Sequence, residues 1–425
     1  MNFHFKTLGC KVNQYETQAM KEAVVKLGHT AENLLPADYV IINSCTVTAE
    51  SDRKTRQMLH RVRNDNPGAT IVLTGCMVQA FPEKAKELSD ADIIIGNRST
   101  VDVIKAIKNY NREKFFSVIP HEKIDEFTGY SISGFSERTR AFMKIEDGCN
   151  RYCSYCIIPK ARGFVRSKSL ADIKTEAQAL AHNGYYEIVL VGINLSAFGL
   201  GTEFNLCDAV DAVCSVEGIK RVRLGSLEPD HVSDEMLFRL SKQEKFCPQF
   251  HLSLQSGCDR TLKRMNRHYD TSFFRDLVNR IRSCFDNAAI TTDIMIGFPG
   301  ETDDEFSESC VFVDEIGFAR CHIFAYSRRK GTVADNMPDQ ISNSTKQTRA
   351  KIMSDIAGLS QKNFLVMQKD GVYPVLFEKL KSSHNEGYTP NYTRVIVDTS
   401  ENLQGQIRNV KITTVFDDYA IGKLI

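Results

Sequence analysis

Cys149, Cys153 and Cys156 stand in a C-x3-C-x2-C spacing, just after an apolar, strand-like run from Phe142 to Ile145. Three thiolates cannot saturate four irons, so a cluster held by them keeps one iron open. An open iron can bind the amino and carboxylate groups of S-adenosylmethionine (SAM) and pass it an electron. Gly148 and Asn150 are expected to leave the loop mobile enough to wrap such a cluster. A closed zinc site is the alternative, but it needs four ligands, usually in a compact segment. No fourth cysteine lies near, and no histidine falls between His121 and His182. Three unrelated buried cysteines would predict no fixed spacing.

A second set, Cys10, Cys45 and Cys76, follows three short β runs: Asn2 to Leu8, Tyr39 to Asn43 and Thr70 to Thr74. Helical patterns, Glu16 to Leu27 and Thr48 to Asn64, lie between them. Strands alternating with helices predict a parallel sheet, whose strands all end on one edge, where ligands bind. Three cysteines far apart in sequence then meet at one rim. The small residues before them (Gly9, Ser44, Gly75) let backbone approach a cluster closely. A redox disulfide between two of the three would leave the third unexplained. The other seven, Cys207, Cys214, Cys247, Cys258, Cys284, Cys310 and Cys321, show no ligand spacing and read as small core hydrophobes.

These cysteines need elements to position them. Residues 126–137 read as a linker, after which strands are expected at Phe142 to Ile145, Tyr186 to Val191, Arg221 to Leu224, Gln249 to Leu254, Ile290 to Ile296 and Cys321 to Tyr326. Six βα units suggest a partial βα barrel with function at the C-terminal mouth of its strands. Its strand ends place Gly192, Asn194, Ser226, Glu228 and Gln255 where SAM would sit. Residues 345–369 look helical. From Gly371 onward the pattern is β, with turns at Asn385 to Gly387 and at Gly405, and predicts a small antiparallel barrel, a common nucleic-acid platform.

The 425 residues are enough for two or three domains, and 42% hydrophobic with 25% charged residues is ordinary for a globular chain. The start, MNFHFKTLGC, has no signal-peptide pattern, and no apolar run nears the roughly 18 residues of a membrane span. A cytoplasmic location is expected, with thirteen cysteines used for thiolate chemistry rather than disulfides. A formal net charge of +1 gives no global basic field. Local runs of cations (Arg138 to Lys168; Arg260 to His268; Arg328 to Lys330) flank the expected active-site end and suggest an anionic substrate.

Over essentially its full length the chain resembles the radical-SAM methylthiotransferases. The carrying runs are Thr7-Leu-Gly-Cys-Lys-Val-Asn-Gln-Tyr-Glu16, Gly148-Cys-Asn-Arg-Tyr-Cys-Ser-Tyr-Cys-Ile-Ile-Pro159, His251-Leu-Ser-Leu-Gln-Ser-Gly257 and Thr291-Thr-Asp-Ile-Met-Ile-Gly-Phe-Pro-Gly-Glu-Thr302. The resemblance implies an N-terminal α/β domain with three cysteines (1–125), a radical-SAM barrel (138–365) and an RNA-binding β-barrel of the TRAM type (366–425). It also implies two 4Fe-4S clusters. The cluster on Cys149, Cys153 and Cys156 cleaves SAM to a 5′-deoxyadenosyl radical, and an auxiliary cluster on Cys10, Cys45 and Cys76 carries sulfur. Lys11-Val-Asn13 marks the branch that acts on threonylcarbamoyladenosine. The branch acting on isopentenyladenosine tends to carry Gln-Met-Asn there, and the one acting on a ribosomal protein Pro-Lys-Asn.

The implied product is a methylthio group at C2 of N6-threonylcarbamoyladenosine at position 37 of tRNA. The implied partners are that tRNA and an electron-donor protein, with no membrane and a monomeric chain. The competing readings are methylthiolation of a ribosomal protein side chain, and a non-catalytic RNA-binding protein with structural zinc. Lys160 stands where the family often has Tyr, and Gly225 where Ser is common. The threonylcarbamoyl carboxylate calls for a cation, and Arg328, Arg329 and Lys330, at the end of the last barrel strand, are its expected source. Neutralising tRNA phosphates is their equal alternative.

Overall fold

Apolar strands alternating with helices build the first part of the chain into a five-stranded parallel sheet, in a computed structural model that describes all residues except 33, 34, 136, 137 and 382. In chain order its elements are β1 (Phe3–Thr7), α1 (Lys11–Lys26), β2 (Tyr39–Ser44), α2 (Ala49–Asp65), β3 (Thr70–Gly75), α3 (Cys76–Ala80), α4 (Pro82–Lys86), β4 (Ile93–Ile95), α5 (Thr100–Lys108) and β5 (Phe115–Ser117). The strands lie side by side in sequence order, and Thr7, Asn43 and Thr74 stand level across β1, β2 and β3. One face packs on α1 and α5 through Met20, Val24 and Ile104, the other on α2 and α4 through Leu59, Val62 and Ala85. Burial on both faces is why these strands read as unbroken apolar runs. At three residues each, β4 and β5 are too short to leave a periodic signal.

The central region comprises β6 (Arg140–Lys144), β7 (Glu146–Asp147), α6 (Ile158–Arg162), β8 (Arg166–Ser167), α7 (Leu170–His182), β9 (Glu187–Val191), α8 (Leu206–Cys214), β10 (Arg221–Leu224), β11 (Ser226–Leu227), α9 (Asp234–Ser241), β12 (Gln249–Leu252), α10 (Asp259–Arg264), α11 (Thr271–Cys284), β13 (Ala289–Ile296), α12 (Asp303–Ile316), β14 (Arg320–Ala325) and α13 (Asn343–Val366). All six expected barrel strands are present, in two parallel sheets ordered β10-β9-β6 and β11-β12-β13-β14. Since β6 and β14 do not pair, the barrel is partial. Its apolar core includes Ile188, Leu190, Phe250, Ile290 and Ile294 from the strands, packed with Leu180, Val210, Leu277 and Phe312 from the helices. Along β14 the alternate residues Arg320, His322 and Phe324 are exposed.

Part of the expected linker is not loose. Residues 136 and 137 lie outside the described residues, but Ile132 and Phe135 are buried in the barrel core, and the Ser133 amide donates to the Glu22 carboxylate at 2.8 Å.

The last region is a closed barrel of β15 (Val372–Lys381), β16 (His384–Tyr388), β17 (Arg394–Asp398), β18 (Ile407–Val415) and β19 (Ala420–Leu424), ordered β15-β16-β17-β19-β18. It is mixed rather than antiparallel, because β17 and β19 run parallel. The turn expected at 385–387 is strand β16. Asn385 is a turn residue by type, but it is buried and its side-chain amide donates to the Thr399 and Glu401 carbonyls, which holds it in the sheet. The barrel docks on the start of β10, where Arg221 donates to the Tyr388 carbonyl at 3.0 Å and Arg223 to that of Pro390 at 2.9 Å.

Candidate active site

The three N-terminal cysteines follow strands that end level, and their loops are stitched together. Asn13, in the first turn of α1, donates to the Leu8 carbonyl at 3.0 Å and the Ser44 carbonyl at 2.9 Å, while Ser44 Oγ donates to the Thr74 carbonyl at 2.6 Å. A Cβ on Gly9, where φ is +115°, would lie 2.9 Å from Cys45 Cβ, so the Cys10 and Cys45 loops touch where only glycine fits. Cys10 is exposed, and Cys45 and Cys76 are buried. Burial pushes the Cys76 thiol up to about 12, with Arg162 opposing and the Cys10 and Cys45 sulfurs close enough to add to the rise.

The second cysteine loop is held as firmly, so the expected mobility is not what positions it. Gly148, at φ +92°, leaves no room for a side chain against the Phe164 carbonyl, and the Cys149 amide donates to the Gly163 carbonyl at 3.0 Å. Ser154 is tied by its amide to the Met265 carbonyl (3.0 Å) and by its hydroxyl to that of Arg264 (2.8 Å). Arg267 Nη1 donates to Cys153 Sγ at 3.1 Å. Burial lifts the Cys149 and Cys156 thiols to about 12. His121, remote in sequence, joins Cys153 and Cys156 on the wall of a cavity of about 580 Å3, which Lys160 also lines.

Arg162 connects the two sets. It lies on α6, six residues after Cys156, is fully buried, and donates from Nε to Cys76 Sγ at 3.2 Å. Its Nη2 donates to Asn13 Oδ1 and Glu16 Oε2, each at 3.0 Å. Lys144 bridges Glu16 (2.8 Å) and Asp147 (2.7 Å), and Arg166 pairs with Asp147 at 3.1 Å. Burial opposes ionisation of Glu16, but Arg162 and Lys144 hold its carboxyl below the usual range.

This network corrects the reading of the charge runs. Their cations are largely paired within the molecule: Arg151 with Asp230, Lys168 with Glu176, Arg264 with Glu305 and Arg267 with Glu228 in buried or half-buried pairs, and Arg260 with Glu308 at the surface. Of the substrate cations expected at the last strand, Arg329 is spent in the interior. Arg329 is buried, paired with Asp52 at 2.9 Å and bonded to Thr46 Oγ1 at 2.6 Å, so it clamps the barrel to the loop after Cys45. Arg328 pairs with Asp335 at 3.0 Å, and Lys330 is exposed. Sequence shows runs of like charge but not the distant carboxylates that meet them.

The five SAM candidates separate. Asn194 is buried with both side-chain polar atoms unpartnered, and its backbone N–H donates to Glu146 Oε2 at 2.7 Å. Gly192 lies against that same carboxylate. Glu146, absent from the sequence reading, keeps its other oxygen unpartnered, and burial and then the Asp147 charge raise its pKa well above the usual carboxylate range. Two buried polar groups without partners are available to a polar ligand. Glu228 is engaged by Arg267. Gln255, at φ +71°, is a backbone brace, receiving the Met295 amide at 2.9 Å and donating its own to the Asp293 carbonyl at 2.9 Å.

Ser226 opens on a different cavity, of about 400 Å3, walled also by Lys11, Arg140, Arg223, His251, Asp293, Arg320, His322 and Tyr392. Of the remaining cysteines, Cys207, Cys214, Cys247 and Cys258 are buried as expected, Cys310 and Cys321 are half-buried, and Cys284 is exposed. Among the described residues no three Cys, His, Asp or Glu side chains close on a single ion, as a zinc site requires.

Residues 2–96 match the uncharacterized protein family UPF0004, and residues 143–313 match the radical SAM superfamily. The chain is 34% identical to the threonylcarbamoyladenosine tRNA methylthiotransferase MtaB of Bacillus subtilis, across 99% of this chain and 96% of that one. The MtaB of Thermotoga maritima is 38% identical across 83% and 81%. The tRNA-2-methylthio-N(6)-dimethylallyladenosine synthase of Clostridium tetani is 31% identical across 97% and 93%. Among solved structures, the radical S-adenosylmethionine methyltransferase TsrM of Kitasatospora setae shares the fold, with a TM-score of 0.59 at 14% identity over 79% of this chain and 77% of that one. With two cysteine-bearing regions of the matched kinds and near-full-length relatives, the chain belongs to the radical-SAM methylthiotransferase family.

Proposed function

We propose that this protein methylthiolates C2 of N6-threonylcarbamoyladenosine in tRNA, using SAM and two 4Fe-4S clusters. The observation that carries the reading is that Arg162, on the helix that follows Cys156, donates to Cys76 Sγ and so joins the two cysteine regions, in a chain whose near-full-length relatives bear this activity in their names. Cys149, Cys153 and Cys156 would hold the cluster that meets SAM, and Cys10, Cys45 and Cys76 the auxiliary one. Loaded in this way, the site supplies one-electron cleavage of SAM and a sulfur atom for transfer.

The donor set suits such groups. All six thiols are free, and metal binding draws protons from thiols that burial otherwise keeps protonated. Arg267 and Arg162 each aim an N–H at a proposed ligand sulfur, a contact that offsets thiolate charge and tunes a cluster's potential. Asn194 and Glu146 offer unpartnered polar atoms to the amino-acid or ribose groups of SAM. The cavity between Lys11, which follows Cys10, and Ser226, beside the SAM strand ends, is sized for a nucleoside. Holding the base there sets one C–H bond against the reacting groups and keeps water out.

Mass spectrometry of tRNA nucleosides from cells with and without the gene tests the proposal. Loss of the methylthio group from threonylcarbamoyladenosine, with accumulation of its precursor, is expected. Loss from dimethylallyladenosine instead would assign the sibling substrate, and no change in either nucleoside would overturn the reading.

A further inference from the structure

We propose that Arg320 and Lys11 form the subsite that recognises the carboxylate of the threonylcarbamoyl group, at the wall of the 400 Å3 cavity. The inference rests on the substrate reading above and adds the residues that select it. Within that cavity, Arg140 is committed to Glu187 and Glu378, and Arg223 to Glu187 and the Pro390 carbonyl. Asp293, its acidic side chain, faces His251 Nε2 at 3.3 Å. Lys11 and Arg320 alone among its cations have no hydrogen-bond or ion-pair partner among the described residues.

Their placement suits a substrate that carries its charge away from the reacting carbon. Lys11 opens α1 directly after Cys10, and Arg320 opens β14, its Cα paired with Thr291, which also lines the cavity. His322, two residues along β14 and on the same cavity wall, is within electrostatic reach of both. A base reacting near Cys10 and Ser226 would therefore extend its N6 substituent along the exposed face of β14. An unpaired guanidinium in a partly enclosed cavity is suited to bidentate capture of a carboxylate.

The test uses the cluster-loaded enzyme and three anticodon stem-loop RNAs. One carries threonylcarbamoyladenosine, one its methyl ester, and one unmodified adenosine. Wild type should bind the acid roughly ten- to a hundredfold more tightly than the ester, the range expected for one or two charge-assisted bonds. Arg320→Gln and Lys11→Gln should each compress that ratio to about threefold or less while leaving the unmodified RNA unaffected, and Arg320→Lys should keep part of it. Among the described residues the Arg320 side chain makes no hydrogen bond or ion pair, and iron content controls for any disturbance of Cys10 by the Lys11 variant.

Two results would overturn the proposal. Equal losses for all three RNAs would make these residues phosphate contacts. Indifference of wild type to the ester, while it still methylthiolates the acid-bearing RNA, would remove carboxylate recognition and leave the function intact. Methylthiolation of a dimethylallyladenosine RNA but not of the threonylcarbamoyl RNA would instead defeat the substrate reading itself.

Discussion

Arg162 Nε lies 3.2 Å from Cys76 Sγ, although the two residues are 86 positions apart and lie on the helices α6 and α3 of different regions. The same guanidinium holds Glu16 and Asn13, so one buried side chain ties the cysteine loops of the first sheet to the helix that follows the second cysteine set. Removing one partner of a buried charge network leaves the other uncompensated, at a cost of about 3–5 kcal/mol. Arg162→Met should therefore lower the stability of the loaded protein by that order in urea unfolding. Losing a donor to sulfur should also move the auxiliary potential to more negative values. Arg162→Lys should recover more stability than potential, because it restores charge but not the forked geometry.

The two cysteine sets should separate the two halves of the chemistry. Replacing Cys149, Cys153 and Cys156 by Ala should abolish 5′-deoxyadenosine formation while retaining iron at the other set. Replacing Cys10, Cys45 and Cys76 should preserve SAM cleavage but yield no methylthio nucleoside. Methylthio product from the second variant would mean that these thiols are structural.

Asn194 buries an amide with no partner, so Asn194→Ala should harm SAM binding rather than folding. One lost hydrogen bond of about 1–1.5 kcal/mol corresponds to roughly tenfold weaker binding. Anaerobic calorimetry with SAM would measure it, alongside an unchanged iron content. Unaltered affinity would take Asn194 out of the pocket.

Glu187 governs the acid sensitivity of the joint between the partial barrel and the C-terminal barrel. Burial disfavours its charge, but Arg223, Arg140 and Arg221 prevail and hold its pKa below the ordinary carboxylate value. A lowered folded pKa contributes stability that is complete above the unfolded value, about 4.3, and is lost as pH falls through the folded value. Wild type should thus lose stability below about pH 4 more steeply than Glu187→Gln, which starts weaker but lacks that titration. Parallel denaturation midpoints for the two proteins from pH 7 to 3 would rule this out.

Several of these features were legible in the residues alone. The C-x3-C-x2-C run, the three cysteines after apolar strands and the six βα units are local patterns, set by spacing and by the two-residue and 3.6-residue periods, and each stands where the pattern put it. The three-residue strands β4 and β5 carry too little periodicity to be legible, and Asn385 reads as a turn because the partners that hold it in the sheet come later in the chain.

What tertiary structure alone decided is the fate of the charges. By sequence, Arg162, Arg267 and Arg329 belong to basic runs facing a substrate. In the fold, each is buried against a carboxylate or a sulfur contributed from tens to hundreds of residues away. Lys11 and Arg320, which lie in none of the three basic runs, are the cations without an ion pair among the described residues at the cavity. The reason is physical. Periodicity is written along the chain, whereas the partner of a charge is set by which distant segments pack together, because an ion in a low-dielectric interior must find its counter-charge in space.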